Sequence, residues 1–258
     1  MQKEYDGSET DIESYLGGLQ KTRGLSLSQV IARDSRDRAE FTTRGSKFQV
    51  ETTYSGGVLG GNENFQKHVL DLDWFTPTFS KFVLYSSLKV GVIKTLNVGD
   101  ETQSFIPFDE RFIMGGNGIP YGNALRGYPD NSVGPQTTSG QAVGGNAMSK
   151  ITTELRYPLS ENPVIYFMTF AEMGNVWNTS SMSEPFYLDR HGPLSMQKSA
   201  GVGVRFFMPG IGLLGFDMGY GFDDITGDGN PNGWEYTITF GQTYYCLLYT
   251  SPSPRDRG

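Results

Sequence analysis

The sequence predicts an all-β protein in which antiparallel strands form part of a membrane-spanning β-barrel. Three observations predict this: large apolar residues alternate with small or polar ones, turn residues separate the alternating segments, and short and long connections follow each other along the chain. Successive side chains of a strand point to opposite faces, so the alternation indicates a sheet with one apolar and one polar face.

The composition is compatible with such a barrel and excludes several other classes of protein. The 258 residues carry 28 acidic and 21 basic side chains, and this net charge of −7 argues against binding of nucleic acid. A single cysteine excludes a disulfide-stabilised miniprotein. No uncharged apolar run approaches the roughly 20 residues of a spanning helix, whereas barrel strands need only alternation.

Four strands are predicted in the N-terminal part of the chain, at about 25–34, 47–54, 65–75 and 82–94. The first has the weakest pattern. In the third, one face takes the large apolar side chains and the other takes the charges: Leu70, Leu72 and Trp74 against Lys67, Asp71 and Asp73. Gly and Asn in 55–64 and Thr76-Pro77 separate these segments, as expected of turns.

Five more strands are predicted towards the C-terminus, at 148–157, 164–177, 199–206, 214–222 and 234–240. The last has a strict period of two, with Trp234, Tyr236, Ile238 and Phe240 alternating with Glu235, Thr237 and Thr239. The total is nine strands, and no helix longer than a turn or two is predicted.

The connections between these strands alternate in length. Short connections are predicted near 76–81, 158–163 and 208–212, and long ones at 97–143, 178–196 and 223–233. Outer-membrane barrels have short periplasmic turns at one end and long extracellular loops at the other. The connections therefore favour a barrel of this kind.

Periodicity alone does not distinguish a barrel from a soluble β-sandwich, whose apolar face would lie inside. Aromatic side chains on one face of the last strand, including Trp234 and Tyr244, are typical of the interfacial girdles of a membrane barrel. The opposite face combines glycine with single charges: Glu154, Glu172, Arg205 and Asp217. A soluble exterior would carry more Lys and Glu, so this face favours the barrel.

Both ends of the chain differ from the middle. No basic segment followed by an apolar segment comes after Met1, so either the protein is cytoplasmic or its N-terminus is missing. Residues 1–24 are expected to be a loop or partial strand at a truncated start. Residues 246–258, which contain the only cysteine, resemble the translation of a transposase adapter used in shotgun sequencing, and we expect them not to be native.

Six blocks of residues in order resemble the BamA-type outer-membrane assembly factors, in their surface-antigen barrel domain. The loop 97–143 carries Gly115-Gly116 and then Arg126-Gly127-Tyr128, which resembles the family's inserted loop. The other blocks are 143–147, 153–158 with Glu154, 172–177 with Glu172, and the last strands 199–203 and 236–244. The resemblance covers 25–245. Leu125 and Tyr128 replace the Val and Phe that the family often has there.

The resemblance implies that these nine strands are the last nine of a sixteen-stranded transmembrane barrel, preceded by seven strands and by periplasmic POTRA domains. It also implies that the loop folds into the lumen and that Arg126 binds Glu154 and Glu172 there. A planar guanidinium matches carboxylates in a bidentate manner. The alternative is a mobile surface loop with a solvated arginine.

The last strand is the second site that the resemblance implies, with Tyr236, Ile238, Phe240 and Tyr244. In the family this strand pairs imperfectly with the first strand, and the resulting seam opens so that client strands add by backbone hydrogen bonds. Edge pairing gives affinity without a fixed client sequence. Ordinary closure of a barrel is the alternative.

The implied function is assembly and insertion of outer-membrane proteins at the bacterial outer membrane, without enzymatic chemistry or cofactors. Implied partners are outer-membrane lipid, unfolded outer-membrane proteins and accessory lipoproteins, and not nucleic acid. The alternatives are a two-partner secretion or related polypeptide translocator of the same superfamily, and the barrel of a patatin-like hydrolase. No Gly-x-Ser-x-Gly elbow is present, and 228–233 resembles a calcium loop but has Thr239 at the position that requires Glu, so no catalytic or metal site is predicted.

Overall fold

The computed structural model describes residues 2–4, 21–38, 40–61, 63–96, 106–118, 122–137, 140–179, 187–188, 195–208 and 212–241. Its strands are β1 (Gln2–Glu4), β2 (Lys21–Arg23), β3 (Ser26–Asp34), β4 (Gly45–Ser55), β5 (Phe65–Pro77), β6 (Val83–Thr95), β7 (Gln136–Thr137), β8 (Ala147–Glu161), β9 (Val164–Trp177), β10 (Tyr187–Leu188), β11 (Gln197–Met208), β12 (Gly212–Gly221) and β13 (Gly233–Gly241). The helical segments in these ranges are short 3-10 turns at Gly57–Leu59 and Phe108–Glu110. None of the helices found there is long and apolar enough to cross a membrane.

Nine strands form one antiparallel sheet in the order β13-β12-β11-β9-β8-β6-β5-β4-β3. Each strand pairs with its neighbours along the chain, and the short pairs β1-β2 and β10-β7 lie outside this sheet. The prediction of nine antiparallel strands is confirmed, including the weak first one. The total of sixteen strands stays a prediction.

One predicted turn is shorter in the structure than in the sequence analysis. The connection predicted at 158–163 is reduced to 162–163, because β8 continues to Glu161. The pairing of β8 with β9 shifts register between Pro158 and Ser160. A proline cannot donate to the ladder and is tolerated at such an irregularity, so β8 continues past Pro158.

The two faces of the sheet have opposite exposure. Trp234, Tyr236 and Phe240 are 58%, 77% and 65% exposed, whereas Thr237 between them is 7% exposed. The loop between β6 and β8 covers the polar, glycine-rich face, which we call the inner face. The apolar side chains therefore lie on the outer face, as in a barrel that meets lipid, and not in a core between two sheets.

The inner face carries apolar clusters towards its two ends. At the long-loop end, loop residues and strand residues pack together: Phe65, Ile93, Phe112, Met114, Leu125, Tyr128, Val133, Met148 and Val176. At the short-turn end, Phe41 from the 35–44 connection packs on strand residues: Phe75, Val83, Tyr166 and Met168. The 35–44 connection therefore contributes a side chain to the inner face, which the sequence pattern did not predict.

Asp37 organises this connection. Partial burial disfavours its charge, but hydrogen bonds from the hydroxyl and amide of Thr43 and from the amide of Arg44 outweigh this effect and lower the pKa of Asp37 to about 2. A lowered carboxyl pKa contributes stability above the unfolded-state pKa, and this stability is lost as the pH falls through the folded-state pKa.

We expect Asp37→Asn to cost about 1 kcal/mol at pH 7, since the carboxylate is largely exposed and solvent screens its hydrogen bonds. The difference between variant and parent should vanish as the pH falls from about 5 to about 2. Urea unfolding of the protein in detergent micelles at several pH values measures this. A cost that is the same at pH 7 and pH 2 would contradict the assignment.

Candidate functional site

The described residues of the loop between β6 and β8 (106–118, 122–137 and 140–146) pack on the inner face of the sheet, and backbone hydrogen bonds join them to one another. Phe112 pairs with Gly145, Met114 pairs with Val133, and the Gly116 amide donates to the Tyr128 carbonyl. Met114 is completely buried. The alternative of a mobile surface loop therefore does not describe this structure.

Arg126 lies at the tip of this loop and is 5% exposed. Its Nη2 donates to Glu154 Oε1 at 2.6 Å and to Glu172 Oε1 at 2.8 Å, and its backbone amide donates to Glu172 Oε2 at 2.9 Å. Its Nη1 lies 3.5 Å from Asp217 Oδ1. The guanidinium carbon lies 3.8 Å from the centre of the Phe170 ring, a cation–π distance. The structure thus brings together all three residues that the sequence analysis named.

Each of the three carboxylates also binds a second cation. The pairs are Lys150 with Glu172 at 3.0 Å, Arg156 with Glu154 at 2.7 Å, and Arg205 with Asp217 at 2.8 Å. These six residues and Arg126 form what we call the charged cluster. It contains four cations and three carboxylates, so that 4 − 3 leaves a net charge of +1. Such mutual pairing is what allows charges to stay ionised away from bulk water.

The sequence pattern predicted only part of this cluster. From the sequence, Arg205 and Asp217 are only isolated charges, and Lys150 and Arg156 are not assigned to the site. All four occupy strand positions whose side chains point to the inner face, as those of Glu154 and Glu172 do. This alternation is the sequence signal that could have identified them. Which of them meet depends on strand register, such as the pairing of Thr152 with Glu172, and alternation alone does not give the register.

The charged cluster fixes the ionisation of Arg126. Burial by itself would lower the pKa of Arg126, but the charges of Glu172 and Glu154 outweigh burial and raise this pKa above its ordinary value. The guanidinium is therefore positive at every physiological pH. The arrangement is suited to holding the loop in place.

Gly127 places the loop tip directly against the last strands. Its φ is +87°, a conformation that residues with a Cβ rarely adopt. An added Cβ would lie 2.9 Å from the Ser199 Cβ and 3.0 Å from the Tyr220 carbonyl carbon. Gly219 and Gly221 face Gly127 from β12, so the backbones of the loop tip and of β12 come close together.

Tyr128 uses the hydroxyl group that distinguishes it from phenylalanine. Its Oη donates to the Lys198 carbonyl at 2.6 Å and lies 3.1 Å from Asp223 Oδ2. The side chain is 1% exposed, and burial raises the pKa of Tyr128, so the hydroxyl keeps its proton. The departure from the family pattern thus has a structural role in this chain.

The predicted seam strand is β13, at one end of the sheet. It pairs with β12, and no second partner strand for it is present within the described ranges. Tyr236, Ile238 and Phe240 lie on its outer face and are exposed. Tyr244 falls in 242–258, outside the described residues. A role of this strand as a seam stays a prediction.

No group of three or more His, Cys, Asp or Glu side chains in the part of the chain that the structure describes could hold a metal ion.

Comparisons with known proteins agree with this architecture. The sequence profile of the Omp85 superfamily domain matches residues 3–243. Outer membrane protein assembly factor BamA of Nitratidesulfovibrio vulgaris is 25% identical over 231 residues, which cover 88% of this chain and 27% of that protein. The chain thus spans about a quarter of the length of this curated relative.

A solved structure has the same fold. The crystal structure of BamA from Haemophilus ducreyi lacking POTRA domains 1-3 aligns with a TM-score of 0.67 and 21% identity. The alignment covers 84% of this chain and 42% of that chain. At this identity the likeness shows the fold alone, which is that of part of a BamA barrel.

Proposed function

Because this chain belongs to the Omp85 superfamily, we propose that it forms part of a bacterial outer-membrane barrel that folds and inserts other outer-membrane proteins. The observation that carries the proposal is the buried loop, whose Arg126 binds Glu154 and Glu172 on the inner face. A barrel that only conducts solutes has no need of such a loop. The 25% identity with an assembly factor supports the same function.

The proposed mechanism involves no chemical step, cofactor or ATP. The edge of β13 offers backbone donors and acceptors to a client strand, which gains hydrogen bonds as it leaves water. The parent protein would also lower the barrier to insertion by thinning the membrane beside this edge. The loop inside the barrel holds the strands next to the edge in place.

The partners follow from this mechanism. Unfolded outer-membrane proteins are the clients, and the outer-face aromatics contact the lipid of the outer membrane. Accessory lipoproteins are the partners expected of an assembly machine. Nucleic acid is not among the proposed partners, because the positive charges of the charged cluster are paired with carboxylates and the whole chain is acidic.

Sequencing the source DNA outward from both ends of this chain tests the proposal. We expect several POTRA-type repeats upstream. Two such domains and a plug helix would instead indicate a two-partner secretion translocator, and an upstream Gly-x-Ser-x-Gly hydrolase would indicate a patatin-like fusion and make the parent an enzyme. A stop codon soon after residue 245 is expected if 246–258 is adapter sequence.

Depletion of the complete gene in its host tests the function itself. Other outer-membrane barrels should disappear from the outer membrane, and their unfolded chains should accumulate in the periplasm. Normal barrels with defective export of a single secreted polypeptide would support the translocator instead.

A further inference from the structure

The connection 222–232 between β12 and β13 is bound by the same loop that carries Arg126. Asp223 accepts a hydrogen bond from the Lys198 amide, and its Oδ2 lies 3.1 Å from the Tyr128 hydroxyl. The Asp223 amide in turn donates to that hydroxyl at 3.4 Å. One carboxylate therefore joins the loop, the start of β11 and the end of β12.

Asn232 makes a second contact at the other end of this connection. Its Nδ2 donates to the Gly127 carbonyl at 2.9 Å, and its amide donates to the Asp223 carbonyl at 3.1 Å. Between these two residues, Ile225 packs against the apolar cluster that contains the loop. The connection is thus hydrogen-bonded to the loop at both ends, and between them it packs on the apolar cluster that the loop shares with the strands.

The loop also reaches β13 itself. Asn117 Nδ2 donates to the Ile238 carbonyl at 3.4 Å, and the Asn117 amide donates to Asp130 Oδ1 at 2.9 Å. On β12, Asp217 belongs to the charged cluster through Arg126 and Arg205. The last hairpin therefore contacts the loop on β12, on β13 and on the connection between them.

We propose that Asp223 and Asn232 are positioning residues that tie the β12–β13 hairpin to the loop and so set the position of the β13 edge. The inference deepens the proposed function, on which its relevance to client insertion rests. Arg126 anchors the loop mainly to β8 and β9, whereas this second anchor transmits the position of the loop to the strand that a client would meet.

The physical reason is that β13 is the end strand of the sheet in the described part of the chain, with β12 as its neighbour there. A terminal strand with one neighbour opens more easily than an internal strand, because fewer backbone hydrogen bonds must break. The contacts of Asp223 and Asn232 hold the connection to the loop independently of the pairing between β12 and β13. They therefore resist this opening. Their loss should free the hairpin and leave β8 and β9 in place.

The test is hydrogen exchange of the complete protein in detergent micelles, comparing the parent with the double variant D223A/N232A. We expect the amides of Gly233–Gly241 to exchange about tenfold faster in the double variant. This is the effect expected when the hairpin loses roughly one net stabilising hydrogen bond against local opening. The amides of β8 and β9 should exchange as in the parent.

Asp224→Ala is the matched control in the same connection. Asp224 accepts hydrogen bonds from the amides of Thr226, Gly227 and Gly229 and orders the tip of the connection. The contacts of Asp223 and Asn232 with the loop do not involve it. This variant should therefore leave exchange in β13 unchanged, even where the tip of the connection exchanges faster.

Two results would overturn the inference: parental exchange in β13 of the double variant, or equal acceleration in β8, β9 and β13, which would show a general loss of stability. Assembly of other barrels is measured on the same variants. If β13 exchanges faster in the double variant but the parent protein assembles no barrels, the positioning role of Asp223 and Asn232 is supported and the proposed function is rejected.

Discussion

Replacing Arg126 with Ala should destabilise the barrel by about 3 kcal/mol and, under the proposed function, abolish most of the assembly activity of the complete protein. Glu154 and Glu172 would lose their shared guanidinium, and each would keep only one cation. Loss of one partner from a buried ion pair costs about 3–5 kcal/mol. The lower end of this range applies, because Lys150, Arg156 and Arg205 still neutralise the carboxylates.

Complementation of a strain depleted of the complete gene measures activity, and urea unfolding in micelles measures stability. Arg126→Lys keeps the charge but loses the planar guanidinium, whose Nη2 contacts Glu154 and Glu172 and whose Nη1 lies near Asp217, so an intermediate effect is expected. Arg38→Ala is the control for removal of an arginine. The Arg38 side chain is exposed, and its Nη1 makes only a long, solvent-screened contact of 4.0 Å with Glu161 Oε2. Normal growth of the Arg126→Ala strain would reject the role of the loop.

The strands were predictable because the alternation of lipid-facing and inner-face residues is a local property. In β13, Trp234 and Tyr236 flank Glu235, and the direction of each side chain follows from position along the strand. Even the weak segment at Ser26–Asp34 was found. The contact of Arg126 with Glu154 and Glu172 was predictable only from family resemblance, because these residues are distant in sequence.

The remaining features depend on register and on backbone conformation. The pairing of Arg205 with Asp217 requires the register of β11 against β12, in which Gly203 lies opposite Asp217. The insertion of Phe41 depends on the path of the 35–44 connection, for which the sequence gives no periodicity. Local patterns therefore predicted the elements, and long-range contacts completed the site.

Gly127→Ala should displace the loop tip and cost about 2–5 kcal/mol, the sum of backbone strain and overpacking. At a φ of +87° the new Cβ would be strained even in open space. It would also approach Ser199 and the backbone of Tyr220 at about 3 Å, and the backbone of a paired strand cannot move without breaking its ladder. We expect the Arg126 contacts to weaken and assembly activity to fall in parallel.

Gly140→Ala separates the two contributions to this effect. Gly140 lies in the same loop at a φ of +83°, and no atom lies within 4 Å of the position that its Cβ would take. This control therefore carries the backbone strain alone, at a cost of about 1 kcal/mol. If Gly127→Ala and Gly140→Ala destabilise the protein equally in urea unfolding, the tip does not pack against β11 and β12. If only Gly127→Ala lowers assembly activity, close packing of the tip is required for function.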